Sequence, residues 1–248
     1  MKKTSSDRFW EIDFLRGIAI LMMIVYHIIF DLNYFGFTST DLNSLPSLIF
    51  LYPIGTVFLL LVGISLTLSY KRVQHILTTN QLRIKYLKRG SSIFGLGILI
   101  TMVTWIYPHQ GFIVFGVLHC IGLSILLAYP FIRSRVLPLL IGIFCIIFGI
   151  IIRLSITVDF PWLIWLGFVP RQFYTLDYFP LLPWYGVVLI GIFLGNMQYK
   201  NHSRFITIPD YSRFIIIRPF CFLGRHSLLI YLLHQLIIVG FLYLLTGG

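Results

Sequence analysis

Seven apolar stretches, each about as long as a membrane is thick, constrain the fold of this chain more than any other feature. They cover residues 14–35, 48–68, 91–107, 112–132, 137–154, 179–197 and 228–245. A helix of about 20 residues crosses the hydrocarbon core and satisfies its own backbone hydrogen bonds there. The chain is 58% hydrophobic and only 11% charged, well below the charged fraction of soluble domains. The sequence predicts an all-α protein, a polytopic transmembrane helix bundle with about seven spans.

The basic residues orient this bundle in the membrane. The formal net charge is +11, and a cytoplasmic N-terminus places every one of the 19 Lys and Arg residues except Arg153 and Arg171 on the inner side. Cytoplasmic loops of membrane proteins carry such an excess of Lys and Arg. The distribution of charge therefore predicts a protein of the cell membrane whose basic residues contact membrane lipids. No nucleic-acid partner is expected.

The chain is expected to form a single domain over residues 1–248, because no linker, repeat or low-complexity segment divides it. The first apolar segment is expected to be mature structure, since no small-residue cleavage site follows it. Cys120, Cys145 and Cys221 are far apart and show no metal-ligand spacing, so no metal is expected.

The first span contains Arg16, His27 and Asp31, three ionisable residues at membrane depth. Such residues are costly in lipid and usually face a cavity or a proton relay. His27 is eleven positions after Arg16, so the two lie within ~20° of one helix face and ~16 Å apart along the axis. Asp31 lies one turn beyond His27 on the same face. We predict one wall of a polar site, with His27 as base, Asp31 orienting it, and Arg16 either binding an anion or pairing with Asp13 at the headgroups.

Further polar residues in the spans and in the outer loop are candidates for the same site. His119 and His234 lie in the fourth and seventh spans, and His234 forms a stripe with Ser227 and Tyr231 at helical spacing. Three intramembrane histidines favour a shared functional site over three unrelated core residues. Arg171 and Asp177, in an aromatic outer loop, form either salt bridges or contacts to an external polar acceptor. The predicted substrate-contacting residues are Arg16, His119, Arg171, Asp177, Trp184, Ser227, Tyr231 and His234.

Several motifs in this order resemble a known family. They are Ile12-Asp13-Phe-Leu-Arg16-Gly17 with His27 and Asp31, Phe58-Leu-Leu-Leu-Val-Gly63-Ile-Ser65, Phe115-Gly-Val-Leu-His119, Asp177-Tyr-Phe-Pro-Leu-Leu-Pro183-Trp184, and Leu223-Gly224-Arg225-His226-Ser227 through Tyr231 to His234-Gln235. Together they are similar to the heparan-α-glucosaminide N-acetyltransferase-like membrane proteins, in particular the small prokaryotic members. Arg16 and His27 also fit the pattern of the wider membrane acyltransferase superfamily, a basic residue and a histidine separated by ten residues.

The resemblance implies an enzyme that transfers an acyl group, in particular acetyl, from cytoplasmic acetyl-CoA to a hydroxyl or amine acceptor such as a glycan, across or within the membrane. In the large lysosomal members the catalytic histidine lies in the loop after the first span. No histidine lies between Asp31 and Leu51 here, which leaves His27 as the local candidate.

Two other classes of protein fit the same residues. A proton-coupled transporter or flippase would use His27, Asp31 and His234 as a relay. A haem-binding membrane protein would use histidines on facing helices as axial ligands. Catalysis could also pass through an acylated His27 instead of direct transfer.

Overall fold

A computed structural model of the chain describes residues 9–41, 44–200, 203–204 and 209–246. Within these ranges the backbone is mostly helical. The helices are α1 (Trp10–Tyr34), α2 (Leu45–Val73), α3 (Thr79–Ile106), α4 (Val117–Ala128), α5 (Leu137–Ser155), α6 (Leu181–Gln198), α7 (Ile217–Arg225) and α8 (Ser227–Thr246). Two short strand pairs complete the secondary structure: β1 (Thr157–Val158) is parallel to β2 (Val169–Pro170), and β3 (Tyr199–Lys200) is antiparallel to β4 (Ser203–Arg204).

Six of the described helices are long and apolar enough to cross a membrane: α1, α2, α3, α5, α6 and α8. Each lies over one of the apolar stretches predicted from the sequence. The protein is therefore an all-α, multi-pass membrane protein, as predicted. The cytoplasmic position of its N-terminus stays a prediction.

Helix α3 begins at Thr79, well before the apolar stretch predicted to start at residue 91. Thr78 caps it: the Thr78 hydroxyl accepts from the Gln81 amide, and the Gln81 side chain accepts from the Thr78 amide. Hydropathy detects only the apolar part of a helix, whereas Lys and Arg are good helix formers. Most of the basic segment 71–89 is therefore helical, and only residues 74–78 connect α2 to α3.

The fourth predicted span, residues 112–132, contains a shorter helix than expected. Helix α4 has 12 residues, about 18 Å, and a 3₁₀ turn at Tyr129–Phe131 follows it. The segment before α4 turns at Gly111, whose φ of 71° favours glycine. The hydroxyl of Thr104 accepts from the Ile113 amide and holds this turn against the end of α3.

The chain divides into two compact units, residues 1–61 with 207–248, and residues 62–206. In the first unit α1 packs on both α7 and α8. The approach of α1 to α7 depends on two glycines. A Cβ on Gly224 would overlap the carbonyl of Asp13, and a Cβ on Gly17 would overlap that of Phe220. Two backbones come this close only where one of them carries no side chain.

The second unit is built on two helix pairs, α3 with α4 and α5 with α6. The end of α2 is fixed to α6 by polar contacts. The Thr67 hydroxyl lies 3.3 Å from the Ile192 carbonyl, and the Lys71 ammonium donates to the carbonyls of Gly195 and Tyr199 at the end of α6. A cation at this position satisfies carbonyl groups that a helix terminus leaves without partners. The prediction of one domain over residues 1–248 stays a prediction.

Candidate functional site

His27 and His234 lie against each other where α1 packs on α8 in the first unit. Their ring centroids are 4.8 Å apart, with the ring planes inclined by 59°. Nδ1 of His27 and Nε2 of His234 are buried and have no hydrogen-bond partner among the described residues. A buried polar atom without a partner is rare and costly in a folded protein. The pair therefore presents two ring nitrogens that are available for a polar ligand or for each other.

The tautomer of neutral His234 follows from its local contact. Its Nδ1 lies 2.7 Å from the backbone carbonyl of Tyr231, three residues earlier in α8. A carbonyl oxygen only accepts, so Nδ1 carries the proton and Nε2 keeps a lone pair. His234 is 8% exposed, so this lone pair faces the protein interior.

Asp31 is bound by Gln235, the residue that follows His234 in α8. The Gln235 amide nitrogen donates to both carboxyl oxygens of Asp31, at 2.8 and 3.0 Å. Asp31 is only 2% exposed, and its carboxyl group accepts these bonds from the Gln235 side chain inside the first unit. The other amide atom, Gln235 Oε1, is buried and has no partner in the described part of the chain. Two adjacent residues of α8 thus contact two residues of α1 one turn apart.

This geometry changes one part of the sequence-based hypothesis. His27 and Asp31 both face α8, but no hydrogen bond joins them among the described residues: both Asp31 oxygens accept from Gln235, and Nδ1 of His27 has no partner there. The direct orientation of His27 by Asp31 is therefore not present in this structure. The predicted approach of His234 to His27 is confirmed.

The predicted stripe on α8 lies along its N-terminal half. Ser227 is the first residue of the helix and is half-buried. Tyr231 supplies the carbonyl that binds His234, and its ring centroid is 5.6 Å from the His234 ring. Of the three predicted residues, His234 is a member of the histidine pair and Tyr231 contacts it.

Arg16 lies in a second polar cluster, nearer the start of α1. Its guanidinium is 3.5 Å from the Asp13 carboxylate, which is one of the two alternatives for Arg16, and Arg225 of α7 approaches the same carboxylate at 3.4 Å. The Asp13 side chain is nearly buried, whereas both arginines are partly exposed. One carboxylate therefore contacts two guanidinium groups, which are the side chains best suited to bind an anion such as phosphate.

His119 and Asp177 lie in the second unit, at the start of α4. Asp177 Oδ2 accepts from the Val117 amide at 2.9 Å, so a side chain from the loop before α6 caps this helix. His119 Nδ1 accepts from the Gly116 amide at 3.3 Å, and its Nε2 is 3.4 Å from the Thr101 hydroxyl. Both nitrogens of His119 thus have partners within the protein. Burial raises the pKa of Asp177 to about 6, and the bond from Val117 opposes that shift.

Arg171 and Trp184 are also in the second unit. Arg171 lies 3.9 Å from Asp159, and both side chains are largely exposed, so this pair contributes little to stability. Trp184 is buried in the first turns of α6, with its ring 4.9 Å from that of Phe179. The predicted approach of His119 to His27 stays a prediction, and so do the substrate contacts of Arg171, Asp177 and Trp184.

The contact between His27 and His234 bears on the haem interpretation. Facing axial ligands need an iron and the porphyrin plane between the two rings. Two rings with centroids 4.8 Å apart leave no room for that plane. His27 and His234 in this arrangement are not opposite ligands of one haem iron.

Sequence reasoning missed two residues that contact the predicted site. Gln235 was quoted only as part of a motif, although an amide beside an intramembrane histidine is itself a polar group that needs a partner. Arg225 also appears only within a motif, because α7 is too short and too polar to appear as an apolar stretch. Neither contact is visible in one helix, since each joins residues about 200 positions apart.

The fold and these buried ionisable clusters define a multi-pass membrane protein with a polar site inside a helix bundle. The model of the family "Heparan-alpha-glucosaminide N-acetyltransferase, catalytic" matches residues 8–236, nearly the whole chain. The protein therefore belongs to this family of membrane acetyltransferases, as the motifs predicted. No curated protein and no solved structure matches the chain significantly.

Proposed function

We propose that this protein is a membrane-bound acyltransferase that moves an acetyl group from cytoplasmic acetyl-CoA to a hydroxyl or amine of a sugar or glycan, in the cell membrane. The observation that supports this proposal is the pair His27 and His234, which presents unpartnered ring nitrogens inside a chain of this family. A histidine is suited to take a proton from such an acceptor because its pKa lies near the working pH.

In this proposal His27 is the general base. The acceptor hydroxyl or amine gives its proton to a ring nitrogen of His27, and the acceptor atom attacks the thioester carbonyl. The carbon–sulfur bond breaks, and coenzyme A leaves as a thiol after taking up a proton. In the alternative order, His27 first accepts the acetyl group and then passes it on. A dry helix bundle strengthens each electrostatic contact compared with water.

The donor is proposed to bind at the cluster of Asp13, Arg16 and Arg225. Coenzyme A carries several phosphate charges, and guanidinium groups bind phosphate through paired hydrogen bonds. Arg16 lies ~16 Å along α1 from His27, so an extended donor held there reaches the histidine with its thioester end. Arg16→Ala should raise KM for acetyl-CoA with a smaller effect on kcat. Arg153→Ala, on the predicted outer side, should leave that KM unchanged.

The decisive test uses purified protein in detergent micelles with labelled acetyl-CoA and a panel of acceptors, beginning with glucosamine and membrane glycolipids. The wild type should transfer the label and release free coenzyme A. His27→Ala should abolish transfer while the protein still elutes as a folded, monodisperse species. Asp31→Asn should reduce the rate less, because asparagine keeps an oxygen for the Gln235 amide. Full activity of His27→Ala would disprove the mechanism.

The same clusters also suit a proton-coupled transporter or flippase, since buried ionisable residues mark proton relays in membranes. The two functions differ in what happens without a gradient. An acyltransferase turns over in micelles and changes its substrate chemically, whereas a transporter needs two compartments. Vesicles that accumulate an unmodified substrate in response to a pH gradient, together with no release of coenzyme A in micelles, would favour the transporter.

A further inference from the structure

Neutral His27 needs an acceptor for one ring proton if its other nitrogen is to act as a base. In histidine catalysis this acceptor fixes the tautomer and the ring orientation. Asp31 was expected to fill that role, but Gln235 donates to both of its oxygens. The Nδ1 atom of His27 is buried and lacks a partner among the residues that the structure describes. Another acceptor must therefore be identified.

His234 offers that acceptor. Its Nδ1 proton is already committed to the Tyr231 carbonyl at 2.7 Å, so its Nε2 carries a lone pair and cannot donate in the neutral form. This Nε2 is buried and has no partner in the described ranges. With ring centroids 4.8 Å apart, a small rotation of either ring brings a nitrogen of one within hydrogen-bond distance of a nitrogen of the other.

We propose that His234 is the positioning residue of His27: its Nε2 accepts the Nδ1 proton of His27 and leaves the Nε2 of His27 free as the base. This inference rests on the proposed function. The hydrogen bonds then run in one direction, from the acceptor X–H to His27 Nε2, from His27 Nδ1–H to His234 Nε2, and from His234 Nδ1–H to the Tyr231 carbonyl. The bond between Gln235 and Asp31 holds α8 at the distance from α1 that this chain of bonds requires.

The proton balance of the step is simple. When X–H gives its proton to His27 Nε2, His27 becomes an imidazolium that still donates through Nδ1 to His234. The X–C bond forms, the C–S bond breaks, and the proton on His27 Nε2 passes to the sulfur of the departing coenzyme A. His27 returns to its first tautomer, and no oxidant or further reactant is needed.

The first test measures tautomers directly and does not depend on the acceptor. The full chain, labelled with ¹⁵N-histidine, is studied by NMR in lipid nanodiscs at about pH 8.5, where a histidine of ordinary pKa is neutral. His27→Gln and His234→Gln assign the two signals by subtraction. Both histidines should carry their proton on Nδ1, and His27 should lose this preference in His234→Leu. A proton on Nε2 of His27 in the wild type, or an unchanged preference in His234→Leu, would overturn the inference.

The second test separates positioning from mere packing. His234→Gln keeps a side-chain oxygen that can accept from His27, whereas His234→Leu keeps only apolar bulk. His234→Leu should lower kcat by ~10²–10⁴-fold, the range for supporting groups of a catalytic histidine, with KM for acetyl-CoA unchanged. His234→Gln should recover at least ~10-fold of that loss, since it restores a hydrogen-bond acceptor. Equal losses in the two variants would indicate a structural role and refute positioning.

His226→Leu is the matched control, because His226 makes the same kind of local bond, from Nδ1 to the Phe222 carbonyl at 2.9 Å, but is exposed. It should keep the wild-type kcat. A wild type that transfers no acetyl group would refute the proposed function, and the tautomer measurement would still decide the hydrogen bond between the histidines. An inactive His27→Ala beside a fully active His234→Leu would refute the inference alone.

Discussion

Replacement of Gln235 by leucine tests how much the contact between α1 and α8 depends on one amide. The substitution introduces an apolar side chain of similar size and removes the donor for both Asp31 oxygens. Because Asp31 is 2% exposed, its carboxyl group cannot turn to water without moving the helices. We expect Gln235→Leu to destabilise the folded protein.

The size of the effect follows from the surroundings of the bond. A hydrogen bond to a charged group contributes about 1.5–3 kcal/mol in soluble proteins. Interhelical hydrogen bonds in membranes average ~0.6 kcal/mol and reach ~1.7, since separated helices find other partners. Two short contacts to a buried carboxyl group place this bond at the upper end of the membrane range. We expect a coupling free energy of about 1–2 kcal/mol.

A double-mutant cycle measures this coupling. Gln235→Leu, Asp31→Leu and the double variant are unfolded by titration with sodium dodecyl sulfate and followed by circular dichroism. Gln235→Leu should lose the most stability, because it leaves the carboxyl group buried and unpaired, and adding Asp31→Leu should recover much of the loss. Additive effects of the two substitutions, with no recovery, would refute the assignment of this bond as a stabilising contact.

Two further predictions concern packing and pH. Gly224→Ala should destabilise the protein by about 1–3 kcal/mol, because the added Cβ overlaps the Asp13 carbonyl. Gly240→Ala is the control, because the space around its Cβ is open. Equal stability of the two variants in the same titration would contradict the close approach of α7 to α1. Asp177 should destabilise the fold as the pH rises from 3.8 to about 6, since the folded state holds its proton up to the higher pKa and binds more protons than the unfolded state in that window. The unfolding temperatures of the wild type and of Asp177→Asn, which keeps an oxygen for the Val117 amide, are compared at pH 4.5 and 7. The change in unfolding temperature between the two pH values should be smaller in Asp177→Asn. Equal changes in the two proteins would exclude Asp177 as the source of the pH dependence.

Much of the fold and of the family could be predicted from the sequence, for a physical reason. The part of a helix that crosses the lipid must be apolar, so each span of about 20 residues can be recognised from its own sequence. Helical periodicity is also local, because it depends only on spacing, and it predicts that Arg16, His27 and Asp31 lie on one face of α1. Hydropathy failed at the start of α3 and at α7, where polar residues extend or form a helix that it does not detect.

The pairings inside the site were decided only by the tertiary structure. From spacing alone, His27 and Asp31 are neighbours, yet the structure joins Asp31 to Gln235 and His27 to His234. Those partners lie about 200 residues away in the chain, and their meeting depends on the rotation of α8 against α1. That rotation depends on the packing of both helices, while α7, which directly precedes α8, approaches α1 closely at Gly17 and Gly224. No single segment contains this information, because a hydrogen bond between helices is a property of both surfaces together.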